Sequence, residues 1–435
     1  MRTREHNEWN VRKLWHRTSL LKHDKTRKMS SEDADEEQVK KRSRAVPLFR
    51  VDLDEEPAER WAEIARRYGA GIRRLVSLAP RVMGAKSYGV LERVCEWLVG
   101  IQPAEYRDEL TSMAREAGVS AGVLLISQYV YEIVAGCTSV VAPRCRANGR
   151  PVHLRTVDWP GQRLMSPLLI RVDFVRGERV LCRAVTWAGY LGVLTGLKPG
   201  VCSIAVNLRR STSARFALMQ TPLSVLDGAR SVGFFVRALL TDASPEVAGE
   251  LTYTKATRAC RSAYLAAPCY LTLCGTRALE GCVLTRGRSR LEFAHTLATA
   301  PCCVQTNHDV TAESHRRRGT RRDEEGSGGG GQQPKVETWK TFGRSVQGVM
   351  CKRLLAAVGE SSEGSADLAG NGLFGTQARF RMVKRALART GGVVPTVRWA
   401  WALLNTAPVD NAWTQCKCIL DPANGTLLVR TCMST

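Results

Sequence analysis

No stretch of the 435-residue sequence approaches 18 consecutive apolar residues, so its pattern predicts no membrane-spanning helix. Cys-x-x-Cys pairs are absent, which argues against a zinc ribbon. Histidine is scarce, with seven in the chain, and His6, His16 and His23 fall in a charged N-terminal stretch. Aromatic residues make up 6% and do not alternate with the arginines. That argues against a stacking platform for single strands, and no nucleic-acid partner is expected. The beginning, "MRTREHNEWNVRKLWHRTSLLKHDKTRKM", has charges throughout and no apolar core of signal-peptide length. As written, the chain is expected to carry no secretory signal, which leaves open an intracellular protein or a misassigned first exon.

Positive charge and cysteine are plentiful. The formal net charge is +23, with the arginines scattered. A solvated, arginine-biased surface is the simplest reading, and attraction to an anionic lipid surface comes next. Most of the fifteen cysteines read as buried apolar fillers, but an odd number leaves at least one thiol outside any intramolecular disulfide set. One glycosylation tripeptide, Asn424-Gly425-Thr426, falls in an expected hairpin turn.

Residues 1–45 are polar and without periodicity, and are expected to be a disordered basic tail. From Val46 an alternating strand precedes apolar stripes at helical spacing. The first is Trp61, Ile64, Tyr68, Ile72 and Leu75. The second is Val90, Leu91, Val94, Trp97 and Leu98. The third is Tyr106, Leu110, Met113 and Ala117. Ser120 is placed to cap a fourth helix. Residues 46–136 therefore read as an N-terminal helical unit with a leading strand. Residues 137–320 alternate strand-rich and helical stretches, with turns at Ala147-Asn148-Gly149, Arg176-Gly177-Glu178 and Lys198-Pro199-Gly200. Ser244-Pro245-Glu246 is a helix start signal. The glycine run in "RRDEEGSGGGGQQPK" marks 321–375 as a low-complexity insertion. Residues 376–435 return to two helices and a closing hairpin. The sum is an α+β layered fold.

One junction carries chemistry. In "YEIVAGCTSVVAPRCRANGRPVHLRTVDWP" a helix ends, Cys137 follows, and the next strand holds Arg155 and Asp158. A cysteine attacks as thiolate and needs a base or a positive neighbour. His153 or His308 would make a Cys–His dyad. A cut between Gly136 and Cys137 fits better, because the α-amine thereby freed has a pKa near 8 and serves as base for its own thiol. Arg155 would then stabilise the thiolate, and Asp158 would hold the ammonium. Strict alternation puts Arg155 and Asp158 on opposite strand faces, so their convergence requires a bend near Trp159-Pro160.

"GCTSVV", "HLRTVDWP", "TWAGYLGVLTGLKPGVCSIAVNLRR", "EGCVLTR" and "QTNHD", in that order, resemble the acid ceramidase and N-acylethanolamine-hydrolysing acid amidase family. These are N-terminal-nucleophile hydrolases of the choloylglycine hydrolase type. The likeness covers about 46–310 and returns more weakly over 376–435. It implies an αββα sandwich and a proenzyme that cleaves itself at Gly136-Cys137 into a heterodimer of its own fragments. It implies Cys137 as nucleophile, Arg155 and Asp158 as its partners, and Asn307 as oxyanion donor. Asn207 and Leu208 fall at a substrate-binding position, and no cofactor or metal is called for. The family's tyrosine after Asn307 is His308 here, and its usual glutamate after Asn207 is Leu208. A further family arginine falls to Arg321, Arg322 or Arg379. The implied substrate is ceramide met at a membrane or micelle surface, and the implied compartment is lysosomal. An N-acylethanolamine hydrolase and an inactive lipid-binding homologue stand as alternatives.

Overall fold

The computed structural model describes residues 45–134, 136–209, 224–310, 353, 356 and 375–431. The tail 1–44, and the insertion apart from Arg353, Ala356 and Gly375, lie outside the described residues.

Two sheets face each other. The larger runs β1 (Leu48–Asp52), β4 (Leu169–Arg176), β5 (Arg179–Trp187), β6 (Thr195–Lys198), β7 (Cys202–Leu208), β8 (Cys269–Cys274), β9 (Gly281–Arg286) and β10 (Leu291–Thr296) in spatial order. Within this sheet the β1–β4 pair is parallel and the other strand pairs are antiparallel. The smaller sheet has the order β11 (Cys303–Gln305), β2 (Gly136–Ala142), β3 (Val152–Asp158), β12 (Thr414–Asp421) and β13 (Thr426–Thr431). Hairpin turns fall where the glycines predict them, with positive φ at Gly149, Gly177, Gly200 and Gly425.

Alternation sorts the smaller sheet into two unlike faces. Val140, Ala142, Leu154 and Ile419 point outward. They pack on Phe380, Val383 and Leu387 of α7 (Thr376–Ala388) and on Trp401 and Leu404 of α8 (Val397–Leu404). Ser139, His153 and Arg155 point inward at Ser203 and Asn207 of β7. The outer side of the larger sheet is covered by α5 (Val232–Leu240) and α6 (Tyr253–Ser262). The result is the αββα sandwich.

Ahead of β2 come α1 (Ala62–Val76), α2 (Ala85–Gly100), α3 (Ala104–Ala117) and α4 (Ala121–Val134). Ser120 Oγ accepts from Val123 N–H at 3.2 Å, the expected cap, and Glu96 of α2 accepts from Gly122 N–H at 2.6 Å. A Cβ on Gly122 would stand 2.7 Å from the Glu92 carbonyl, so glycine permits this close crossing. Glu109 of α3 is fully buried and clasps Arg237 of α5. It also accepts from Trp61 Nε1 and Arg60 Nη1, each at 3.0 Å. The clasp ties the helical unit to the sandwich.

One sequence expectation fails. Ser244-Pro245-Glu246 opens only a turn, where Ser244 donates to Glu246 at 2.5 Å, and the helix starts at Tyr253 behind the Thr252 cap. The second stripe is not core throughout. Val90, Val94 and Trp97 are 60%, 37% and 60% exposed, while Leu98 is buried. Periodicity identifies an apolar face but not what covers it.

Candidate active site

Register brings the site together. In the antiparallel β2–β3 pair Cys137 lies opposite Val157, and Ser139 opposite Arg155. On the other side Gln305 of β11 lies opposite Ser139, which carries the chain on to set Asn307 beside Cys137. Cys137 and Arg155 are both fully buried. Arg155 Nη2 lies 3.0 Å from Cys137 Sγ and donates to the Val206 carbonyl at 2.5 Å. Its Nη1 donates to Ser139 Oγ at 2.9 Å and to Asn207 Oδ1. Asn207 donates in turn to the carbonyls of Gln305 and Thr306, each at 3.2 Å. The guanidinium is therefore held against the thiol by the Ser139 hydroxyl, the Asn207 side chain and the Val206 carbonyl.

The backbone nitrogen of Cys137 donates to Asn307 Oδ1 at 2.7 Å. Asn307 Nδ2 donates to the Leu208 carbonyl at 2.9 Å. The carboxamide is thus oriented by its oxygen, and its N–H₂ is turned towards β7. The side chain of Leu208 belongs to the apolar core, so this position meets the site through its backbone.

Asp158 and Arg155 stay on opposite faces, and the strand does not bend to bring them together. Asp158 lies opposite Gly136 and faces α7. Its Oδ2 accepts from Arg379 Nη1 at 2.7 Å and its Oδ1 from Thr414 Oγ1 at 2.9 Å. Arg379 also donates to Thr138 Oγ1 at 2.9 Å and, through Nη2, to Asn307 Oδ1 at 3.2 Å. The route from Asp158 to the Cys137 nitrogen thus runs through Arg379 and Asn307. Of the three candidate arginines, Arg379 stands in this cluster, and Arg321 and Arg322 lie outside the described residues. Burial draws the Arg379 guanidinium below its usual range, opposed by the charge of Asp158.

The dyad alternatives separate on the same map. His153 lies opposite Val141, four residues along the strand from Cys137 or roughly 13 Å. Burial, then the nearby Arg155 charge, pulls its pKa down to about 3, and its Nδ1 meets Ser203 Oγ at 3.0 Å. His308 turns its Nδ1 to Thr306 and Thr376. Other cysteines fit the filler reading. Burial pushes Cys95 and Cys202 up to about 12 and raises Cys260 and Cys274 well above the usual thiol range. Cys416, near Arg155, is raised first by its hydrogen bond with Cys418 and then by burial.

Thr138, Ser139, Thr376 and Thr414 were not singled out from the sequence. Thr138 and Ser139 directly follow Cys137, and alternation sends one hydroxyl to each face, so that signal was there to read. Thr376 and Thr414 carry no local signal.

Cys137 therefore stands, fully buried, on the first strand in chain order of the smaller sheet of an αββα sandwich, the layering that the family resemblance implies. The family model for the beta subunit of N-acylethanolamine-hydrolyzing acid amidase matches residues 44–94. Acid ceramidase of Rattus norvegicus is 28% identical over 287 residues, 61% of this chain and 70% of that protein. Acid ceramidase of Homo sapiens is 27% identical over 289 residues, with the same coverage. A solved N-acylethanolamine-hydrolyzing acid amidase ortholog of Caenorhabditis elegans is 23% identical with a TM-score of 0.44, over 66% of this chain and 93% of that one. The chain is thus similar in sequence to acid ceramidases and, over residues 44–94, to the beta subunit of N-acylethanolamine-hydrolyzing acid amidase.

Proposed function

We propose that the protein is the precursor of a cysteine amidohydrolase that cleaves N-acylsphingosine into sphingoid base and fatty acid. The observation that carries this reading is the position of Cys137, with Arg155 Nη2 3.0 Å from its sulfur and Asn307 Oδ1 2.7 Å from its nitrogen. In the precursor the thiol attacks the Gly136 carbonyl, the C–N bond breaks as the nitrogen takes the proton, and a thioester forms. Water hydrolyses it and leaves Cys137 with a free amine. In the mature enzyme that amine takes the thiol proton and the thiolate attacks the substrate amide carbonyl. The ammonium then returns its proton to the leaving sphingoid nitrogen, and water clears the acyl-thioester. Arg155 stabilises the thiolate. Asn307 releases the Leu208 carbonyl to donate to the oxyanion.

The fragments 46–136 and 137–435 remain together as a heterodimer, supported by the Glu109–Arg237 clasp and by β1–β4 pairing. The insertion 321–375 is dispensable to the fold. Lysosomal location and action at a lipid surface come from the family and complete the proposal. A second reading, an N-acylethanolamine hydrolase, is favoured by the match of residues 44–94 to the amidase beta-subunit model. Of the two motives for the inactive-homologue alternative, Leu208 and the insertion, the first is weakened, since Leu208 meets Asn307 through its carbonyl.

Incubation of the matured protein with labelled ceramide and labelled fatty ethanolamide separates the two readings; faster release from ceramide is expected. N-terminal sequencing of the larger fragment should begin at Cys137, and Cys137→Ala should block both cleavage and turnover. A mature active chain starting elsewhere overturns the mechanism.

A further inference from the structure

Two of the segments that meet near Cys137 are distant in sequence, the 306–308 loop after β11 and the helix α7. One hydroxyl joins them. Thr376, the first residue of α7, is 6% exposed. Its Oγ1 accepts from the Asn307 backbone N–H at 2.8 Å and donates to Thr306 Oγ1 at 2.7 Å. His308 Nδ1 lies 3.1 Å from the same oxygen and 2.9 Å from Thr306 Oγ1. Thr306 donates to the Thr376 carbonyl at 3.1 Å. One turn further along α7, Arg379 reaches Asn307 Oδ1.

We propose that Thr376 is a positioning residue for this site: its hydroxyl locks the loop of Asn307 to the helix of Arg379 and so sets Asn307 Oδ1 against the Cys137 nitrogen. The inference rests on the reading of Cys137 as nucleophile. A proton inventory supports it. A hydroxyl has one proton to give and two lone pairs. The Thr376 proton goes to Thr306, and a lone pair takes the Asn307 N–H. With a proton on Nδ1, His308 donates to Thr306 Oγ1, which leaves the Thr306 proton for the Thr376 carbonyl. Every donor then has an acceptor. The tautomer is assigned from this network. Without the Thr376 hydroxyl, the Asn307 N–H and the Thr306 oxygen both lose a partner inside the protein. The longer Asn307–Arg379 contact, 3.2 Å, is then left as a direct link between loop and helix. A displacement of about 1 Å at a reacting group is enough to cost roughly 100-fold in rate.

Thr376→Val keeps the volume and removes the hydroxyl. Self-cleavage should slow by about 10- to 100-fold, and the cleaved protein should lose kcat by a similar factor with KM little changed. Thr376→Ser should restore both. Val383→Ala, on the same helix but buried in the outer core, controls for stability: it should lower Tm and keep the rates. Hydrogen exchange of the segment holding Asn307 should speed up in Thr376→Val and not in Thr376→Ser. That readout also applies in a Cys137→Ala background, where no reaction occurs. If Thr376→Val does not fold, Thr306→Val breaks the lock from the loop side and carries the same expectation. Wild-type exchange and rates in Thr376→Val would overturn the proposal. So would an equal loss of rate in Val383→Ala at matched Tm. Turnover by Cys137→Ala would instead defeat the nucleophile reading, with the exchange result still deciding the role of Thr376.

Discussion

Two buried arginines reach the start of β2 from opposite faces of the smaller sheet, and their surroundings differ. Arg155, on the inner face, donates to neutral oxygens of Ser139, Asn207 and Val206 and meets the thiol. Arg379, on the outer face, donates to the carboxylate of Asp158. The first is placed so that a thiolate on Cys137 would lie against its charge. The second already faces a carboxylate, so its contribution to Asn307 is mainly geometric. A fixed positive group held in a dry interior is worth most where negative charge develops, and little where a carboxylate already meets it.

The largest effect is expected at Arg155. Arg155→Met should abolish self-cleavage and, in protein cleaved by other means, lower turnover by roughly 1000-fold, measured by single-turnover acyl release. A loss below tenfold would mean that the thiolate needs no such partner. Asp158→Asn comes next. A near-isosteric change of a surface carboxylate would cost little stability, but this pair is fully buried on both sides. Removing one charge strands Arg379, so a loss of about 3 kcal/mol is expected along with a turnover loss of about 100-fold. Urea unfolding and assay of chain confirmed as cleaved would measure the two separately. Near-normal turnover would leave Asp158 a structural partner alone.

The double variant Asp158→Asn/Arg379→Gln sharpens the contrast. Its stability loss should fall short of the sum of the single losses by about 2 kcal/mol, because the second change removes the stranded charge. Strict additivity in urea midpoints would show that the two groups are not a unit.

The smallest effect concerns His153, an inner-face polar group on β3 like Arg155. Its folded pKa, about 3, lies below the unfolded value near 6.5. The folded state therefore resists a proton that the unfolded chain accepts. Stability from this group is present above pH 6.5 and is lost as pH falls towards 3, by up to roughly 1.4 kcal/mol per unit. His153→Gln should flatten the acid side of the stability profile and leave pH 7 behaviour within about 1 kcal/mol. An unchanged acid slope would assign the loss to other groups.

Much of the frame was legible in the chain itself. Glycines at forced turns, alternating strands and the helix–strand junction at Cys137 are local features, and local sterics and hydrogen bonding decide them. Motif order singled out Cys137, Arg155, Asp158 and Asn307, and the fold gathers them around the start of β2, with Asp158 linked to Cys137 only through Arg379 and Asn307. Arg379 was one of three candidates, and spacing could not choose among them, since a long insertion separates it from Asn307. Thr376 and Thr414 were invisible for the same reason: a hydroxyl acquires meaning only from the partner that packing sets beside it. Val90 and Trp97 make the complementary case, where the pattern was right and, among the described residues, the face is left exposed. Sequence alone determined which residues share a face. Tertiary structure decided which faces meet, because that depends on burial and contacts between segments that no local period encodes.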